Sequence, residues 1–149
     1  MEKIQVINDI IEKLNQLEEY VKQMSTKTQN ISLSVHHHKF DNLKGIDKEY
    51  EDDFASFENI LESIKGYYKI LHNLEEDDKR LIQIRTGIHH VGNNLKTMED
   101  KLINLKINIT TNDSVALGVI AKAYMNDIAV FHFAIKSLKN NIEVYKETV

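Results

Sequence analysis

The chain has 149 residues, enough for one domain that buries roughly two thirds of the surface its unfolded form would expose. With no proline, cysteine or tryptophan and only five glycines, its composition excludes a turn-rich β-sandwich, a disulfide framework and thiolate chemistry. The formal charge of −4 is spread over interspersed Lys and acidic residues, so no basic face is offered to a phosphate backbone and no nucleic-acid partner is expected.

The first element runs from about residue 2 to 38. Its apolar residues Ile7, Ile10, Leu14, Leu17, Val21, Met24, Ile31 and Val35 alternate in steps of three and four, interrupted only by Thr28. That is a helical seam of period about 3.5. Ile4 and Ile11 widen the stripe, as suits a helix with more than one neighbour. Ile4, Ile7, Ile11, Leu14, Val21, Ile31 and Val35 are therefore the candidate face for a partner helix from another chain.

The rhythm breaks over Lys39 to Asp47, where Asp41-Asn42 and Gly45 form turns and Gly45 is free to take positive φ. A second helix, about 47–73, carries Tyr50, Phe54, Phe57, Leu61, Ile64, Tyr68 and Leu71, bulky rings that should fill the thick part of the core. The acidic residues Asp47, Glu49, Glu51, Asp52 and Asp53 lack the central glycine and ligand alternation of a calcium loop. They read as the solvated first turns of that helix, favoured by its dipole.

A second acidic run, Glu75-Glu76-Asp77-Asp78, places the start of a third helix near Asp77; the absence of Gly or Pro there leaves a continuous bent helix as the alternative. The third helix, about 77–108, has the seam Leu81, Ile84, Ile88, Val91, Leu95, Met98, Leu102 and Leu105. Thr110-Thr111-Asn112-Asp113-Ser114 is the clearest break, rich in N-cap types. A last helix, about 113–147, shows Leu117, Ala121, Tyr124, Ile128, Phe131, Ile135, Leu138, Ile142 and Tyr145. Its small residues Gly118, Ala121, Ala123, Ala129 and Ala134 would admit a close neighbour, with the aromatic second helix the candidate. The fold class expected is all-α: one domain over 1–149, an elongated, mostly antiparallel bundle of four long amphipathic helices.

The start, Met-Glu-Lys-Ile-Gln-Val-Ile-Asn-Asp, has no basic region followed by an apolar stretch, and no later segment reads as the roughly 20 apolar residues that cross a bilayer. No Sec signal and no membrane anchor are expected.

The histidines are the candidates for chemistry. His36-His37-His38 point roughly 100° apart on a helix and suit a helix C-terminus, where the dipole favours them, better than one metal ion. The Glu-x-x-His pairs of di-iron bundles are absent from the sequence. Arg85 and His90 match loosely the arginine-to-histidine spacing of HEPN ribonucleases. His89-His90-Val91-Gly92-Asn93-Asn94-Leu95 resembles faintly the phosphoacceptor helix of sporulation-type histidine phosphotransferases, with His90 where an acidic residue is usual. His132, between Phe131 and Phe133, reads as a boundary histidine hydrogen-bonded to a neighbour. No catalytic residue, metal site or cofactor is assigned, and the chain is not read as an enzyme.

Leu43-Lys44-Gly45 closes a long N-terminal helix that opens Met-Glu-Lys-Ile-Gln-Val. Phe54 and Phe57 follow, then Tyr67-Tyr68-Lys-Ile-Leu-His-Asn-Leu-Glu-Glu-Asp, then Asp113-Ser114-Val115 ahead of a helix with Ala121, Ile135 and Leu138. In this order the chain resembles the LXG domain, the N-terminal module of polymorphic toxins exported by type VII (Esx) secretion systems of Gram-positive bacteria. The third segment is only weakly similar and the chain is somewhat short for the domain.

The resemblance implies a non-catalytic targeting and partner-binding module. It would be recognised for export by a non-Sec route together with small helical partners of the WXG type and the secretion apparatus, and cytoplasmic before export. Leu43, Lys44 and Gly45 would be its motif turn. Ending at Val149, the chain would be an excised targeting domain or a free-standing relative. The alternative from another class is an intracellular helical immunity or regulatory protein that blocks a protein target. A HEPN-like ribonuclease or histidine phosphotransferase comes third.

Overall fold

A computed structural model describes residues 2–75 and 77–149. Met1 and, within the acidic run, Glu76 lie outside the described residues. The helices are α1 (Lys3–His36), α2 (Ile46–Leu74), α3 (Arg80–Glu99), α4 (Leu102–Thr111) and α5 (Ser114–Glu147), with a 3-10 turn at Phe40–Leu43 between α1 and α2. α1 packs between α2 and α5, and α3 closes the ring by packing against the same two, so α1 lies diagonal to α3 and α2 to α5. α4 continues the direction of α3 and rests on α2 and α5. The result is the all-α, antiparallel bundle of amphipathic helices expected from the apolar periodicity.

The heptad-like seams form the core. Ile7, Ile10, Leu14, Leu17, Val21, Met24 and Ile31 of α1 are buried, as are Leu81 to Met98 of the α3 seam and Leu117 to Tyr145 of the α5 seam. Thr28 does not interrupt this packing. Its hydroxyl donates to the Met24 carbonyl at 2.9 Å and pairs with the Tyr50 hydroxyl, so the side chain is fully buried with its polar atom satisfied. Since the Thr28 proton goes to Met24, the Tyr50 phenol is the donor of the second bond. The rings of α2 reach diagonally across the core: Tyr50 meets Tyr124 edge-on at 5.0 Å, and Phe57 meets Phe131 at 5.4 Å.

Four local features depart from expectation. α2 and α3 are separate helices, and α3 starts at Arg80 rather than Asp77, because Asp78 accepts from the Arg80 backbone N–H at 3.0 Å and also holds its guanidinium. The third helix is not continuous to residue 108. Lys101 N–H bonds to Met98 at 3.1 Å, an i→i−3 contact that tightens one turn and bends the rod at Asp100-Lys101, where an ion pair from Lys101 to Asp127 ties it to α5.

α5 and α2 lie across the diagonal and meet through the Tyr50–Tyr124 and Phe57–Phe131 rings rather than by a close backbone approach. A Cβ at Gly118 would meet nothing within 4 Å, whereas one at Gly87 of α3 would stand 2.9 Å from Leu138, so the close approach is between α3 and α5. Finally, α5 is by length and composition apolar enough to cross a membrane, although about a third of its most apolar stretch is buried in the bundle. The expectation that no segment would be so is corrected here. The physical reason is that α5 carries apolar side chains on two opposite faces, one of them turned into the core.

Candidate functional site

At one end of the bundle the chain reverses from α1 into α2, and α4 reverses into α5. Leu43 from the 3-10 turn is buried there at 1% exposure, Lys44 is exposed and paired with Asp41 at 3.4 Å, and Gly45 takes φ 81 as the residue preceding α2. The turn predicted around Gly45, and its positive φ, are both present. Asn112, at φ 50, ends α4, and Asp113 caps α5 by accepting from Ala116 N–H at 3.0 Å. Apolar side chains remain uncovered at this end: Leu33 (56% exposed), Ile103 (64%), Ile107 and Val115 (77%).

The face assigned from sequence to an external partner helix is mostly interior. Ile7, Leu14, Val21 and Ile31 are buried by α2 and α5 of the same chain, Ile11 and Val35 are half-buried, and only Ile4 is exposed, at 39%. A seam of constant period says that a helix is covered, and the fold shows that this chain does the covering.

The candidate histidines are scattered. Arg85 lines a cleft with Tyr68 and His72 on the α2 side of α3, whereas His90 lines a groove against α5, so the two do not share a face. Their separation of five residues turns the helix by about 140°. His89 sits in a shallow cleft with Glu58, Lys96 and Glu99. His36, His37 and His38 are exposed at the end of α1, His36 and His37 edge-on at 5.1 Å, as a helix-end cluster. His132 is at the core boundary as expected, but its Nε2 has no hydrogen-bond partner among the described residues and stands 3.9 Å from a Glu18 carboxylate oxygen. Among the described residues no group of three or more His, Asp or Glu is disposed to hold a metal ion.

Charge inside the bundle is concentrated in pairs. Asp53, expected to be solvated, is buried at 8% exposure and bonded by Lys27 at 2.9 Å. Burial raises its carboxyl above the usual value while Lys27 pulls the other way. Burial, then a hydrogen bond shared with Glu58, pushes the Glu99 carboxyl up to about 7. At the end opposite the Leu43 turn, Lys3 and Arg80 lie against the Tyr145 ring, 5.2 and 4.8 Å from its centroid. Glu75 holds Lys3, and Asp78 with Thr148 holds Arg80.

Sequence reading missed a second apolar stripe on α5. Val115, Val119, Val130, Phe133 and Val144 are each more than half exposed. They fall within about 60° of arc along about 44 Å of helix, on the side opposite the buried seam. The signal was available in the spacing, had the helix been read at two phases rather than one.

Fold and site together define an all-α bundle with uncovered apolar side chains at the Leu43 turn end, along the outside of α5 and, at Leu74, Ile82 and Val149, toward the opposite end. No family model, curated protein or solved structure matches the chain.

Proposed function

We propose that the chain is a non-catalytic helical targeting and partner-binding module of a type VII (Esx) secretion effector, exported together with small helical partner proteins. The observation that carries this reading is the end of the bundle holding the Leu43-Lys44-Gly45 turn. A buried Leu43 and a left-handed Gly45 fix the reversal between two long helices, and Leu33, Ile103, Ile107 and Val115 leave apolar surface uncovered there. Uncovered apolar side chains at the end of a bundle suit an amphipathic partner helix. The α1 seam is consumed by the chain's own core, so this end takes the place of that seam as the partner surface.

Co-expression with the small helical proteins encoded beside the gene tests the reading. A stable complex is expected, with slowed hydrogen exchange at residues 33–45 and 103–115, weakened by Ile103→Asp with Ile107→Asp. Failure of every neighbouring small helical protein to bind, or binding that leaves this end unprotected, would refute it.

A further inference from the structure

We infer that the outer stripe of α5 is the two-fold interface of a homodimer, in which α5 packs antiparallel on α5 of a second copy with Phe133 at the dyad. The outward positions Val119, Lys122, Asn126, Val130, Phe133, Ser137, Asn140, Val144 and Glu147 are all exposed and advance in steps of three and four. Their mean step of about 3.5 keeps such a seam facing a neighbouring helix over its whole length.

The stripe is chemically self-complementary about Phe133. In an interface with two-fold symmetry, residue i of one copy meets j of the other and j meets i. Centred on Phe133, an antiparallel pairing sets Phe133 against its own counterpart and Asn126 against Asn140 of the second copy, amide to amide. It sets Val130 beside Ser137, and places Lys122 one layer, about 4.5 Å along the axis, from Glu147. Lys122 and Glu147 are the charged residues of this seam, of opposite sign, and each falls near the other across the dyad. A parallel pairing would place Lys122 against Lys122 and Glu147 against Glu147, so charge selects the antiparallel arrangement.

Phe133, 72% exposed, also stands at the edge of the groove between α3 and α5, a space of about 460 Å³ lined by Ile82, Gly87, His90 and Leu138. Each ring at the dyad therefore lies beside an apolar recess on either copy, the setting in which an aromatic anchor contributes most to binding. The footprint, about 42 Å of helix by about 10 Å of width, is roughly 400 Å² per copy. A standard interface buries about 800 Å² per partner, so the dimer is a weak one that needs high concentration to fill.

The chain has no cysteine, which gives the test a clean background. Sedimentation equilibrium of the wild type up to about 1 mM is expected to show a monomer–dimer equilibrium, and Phe133→Asp should weaken it at least ten-fold while leaving the urea midpoint unchanged. Under mild oxidation Phe133→Cys should form a disulfide-linked dimer. Val144→Cys alone should not, since the two copies of residue 144 lie about 33 Å apart in the antiparallel pairing, whereas Lys122→Cys with Val144→Cys should cross-link. A wild type that stays monomeric to 1 mM overturns the inference. Cross-linking by Val144→Cys as efficient as by Phe133→Cys also overturns it, because it requires a parallel pair.

Discussion

Thr28 and Glu99 show how much one polar side chain decides. Thr28 stands where the α1 seam needs an apolar residue, and it is tolerated because both of its bonds are internal, to Met24 and Tyr50. Glu99 is held above its ordinary range by burial and by Glu58, reaching about 7 from 4.5. Its folded-state value lies above its unfolded one, so between these values the folded protein holds more protons than the unfolded chain. The contribution is fully present below about 4.5 and is lost as pH rises through about 7. The difference in urea midpoint between wild type and Glu99→Gln should therefore move in the variant's favour as pH goes from 4.5 to 7.5. A difference that is flat with pH would show that Glu99 is not held in this way.

At the scale of the element, the reversal between α1 and α2 rests on backbone conformation more than on contact. Gly45 sits at φ 81, and a Cβ added there would meet nothing within 4 Å, so a side chain causes no clash but must adopt a left-handed backbone. Gly45→Val should cost about 1–2 kcal/mol, read as a lower midpoint in chemical denaturation, with helix content unchanged. A neutral result would mean that the turn relaxes to another conformation. The bend at Asp100-Lys101 is a different kind of element boundary: no Gly or Pro marks it, and both residues keep right-handed helical angles. It comes instead from one tightened hydrogen bond and an ion pair to a helix distant in sequence.

Across the whole molecule, the far end of the bundle is fastened by Tyr145. Its ring is buried at 2% exposure and flanked by Lys3 at the start of α1 and Arg80 at the start of α3, while Glu75 at the end of α2 holds Lys3. One aromatic side chain thus joins the ends of four helices. Tyr145→Ala should destabilise the bundle by about 3–5 kcal/mol, the cost of deleting a buried ring. Tyr145→Phe should cost under about 1 kcal/mol, because the phenol oxygen is buried with no hydrogen-bond partner among the described residues. Thermal or urea unfolding of the pair measures both, and equal losses would place the stabilisation in the hydroxyl rather than the ring.

The fold was legible because a helix records its covered side in the spacing of its apolar residues, and the absence of proline left the seams unbroken. The turn at Gly45 and the cap at Asp113 were legible for the same local reason, since each depends on backbone preferences of a few adjacent residues. Which molecule covers a seam is not a local property. Ile7, Leu14, Val21 and Ile31 read as a face for a foreign helix, and only the packing of α2 and α5 shows them to be the chain's own core. Likewise the separation of Arg85 from His90 and the close approach of Gly87 to Leu138 follow from how whole helices are arranged about one another, as does the outward turn of Phe133. Periodicity fixes that an apolar side must be hidden from water, and tertiary packing alone selects the surface that hides it.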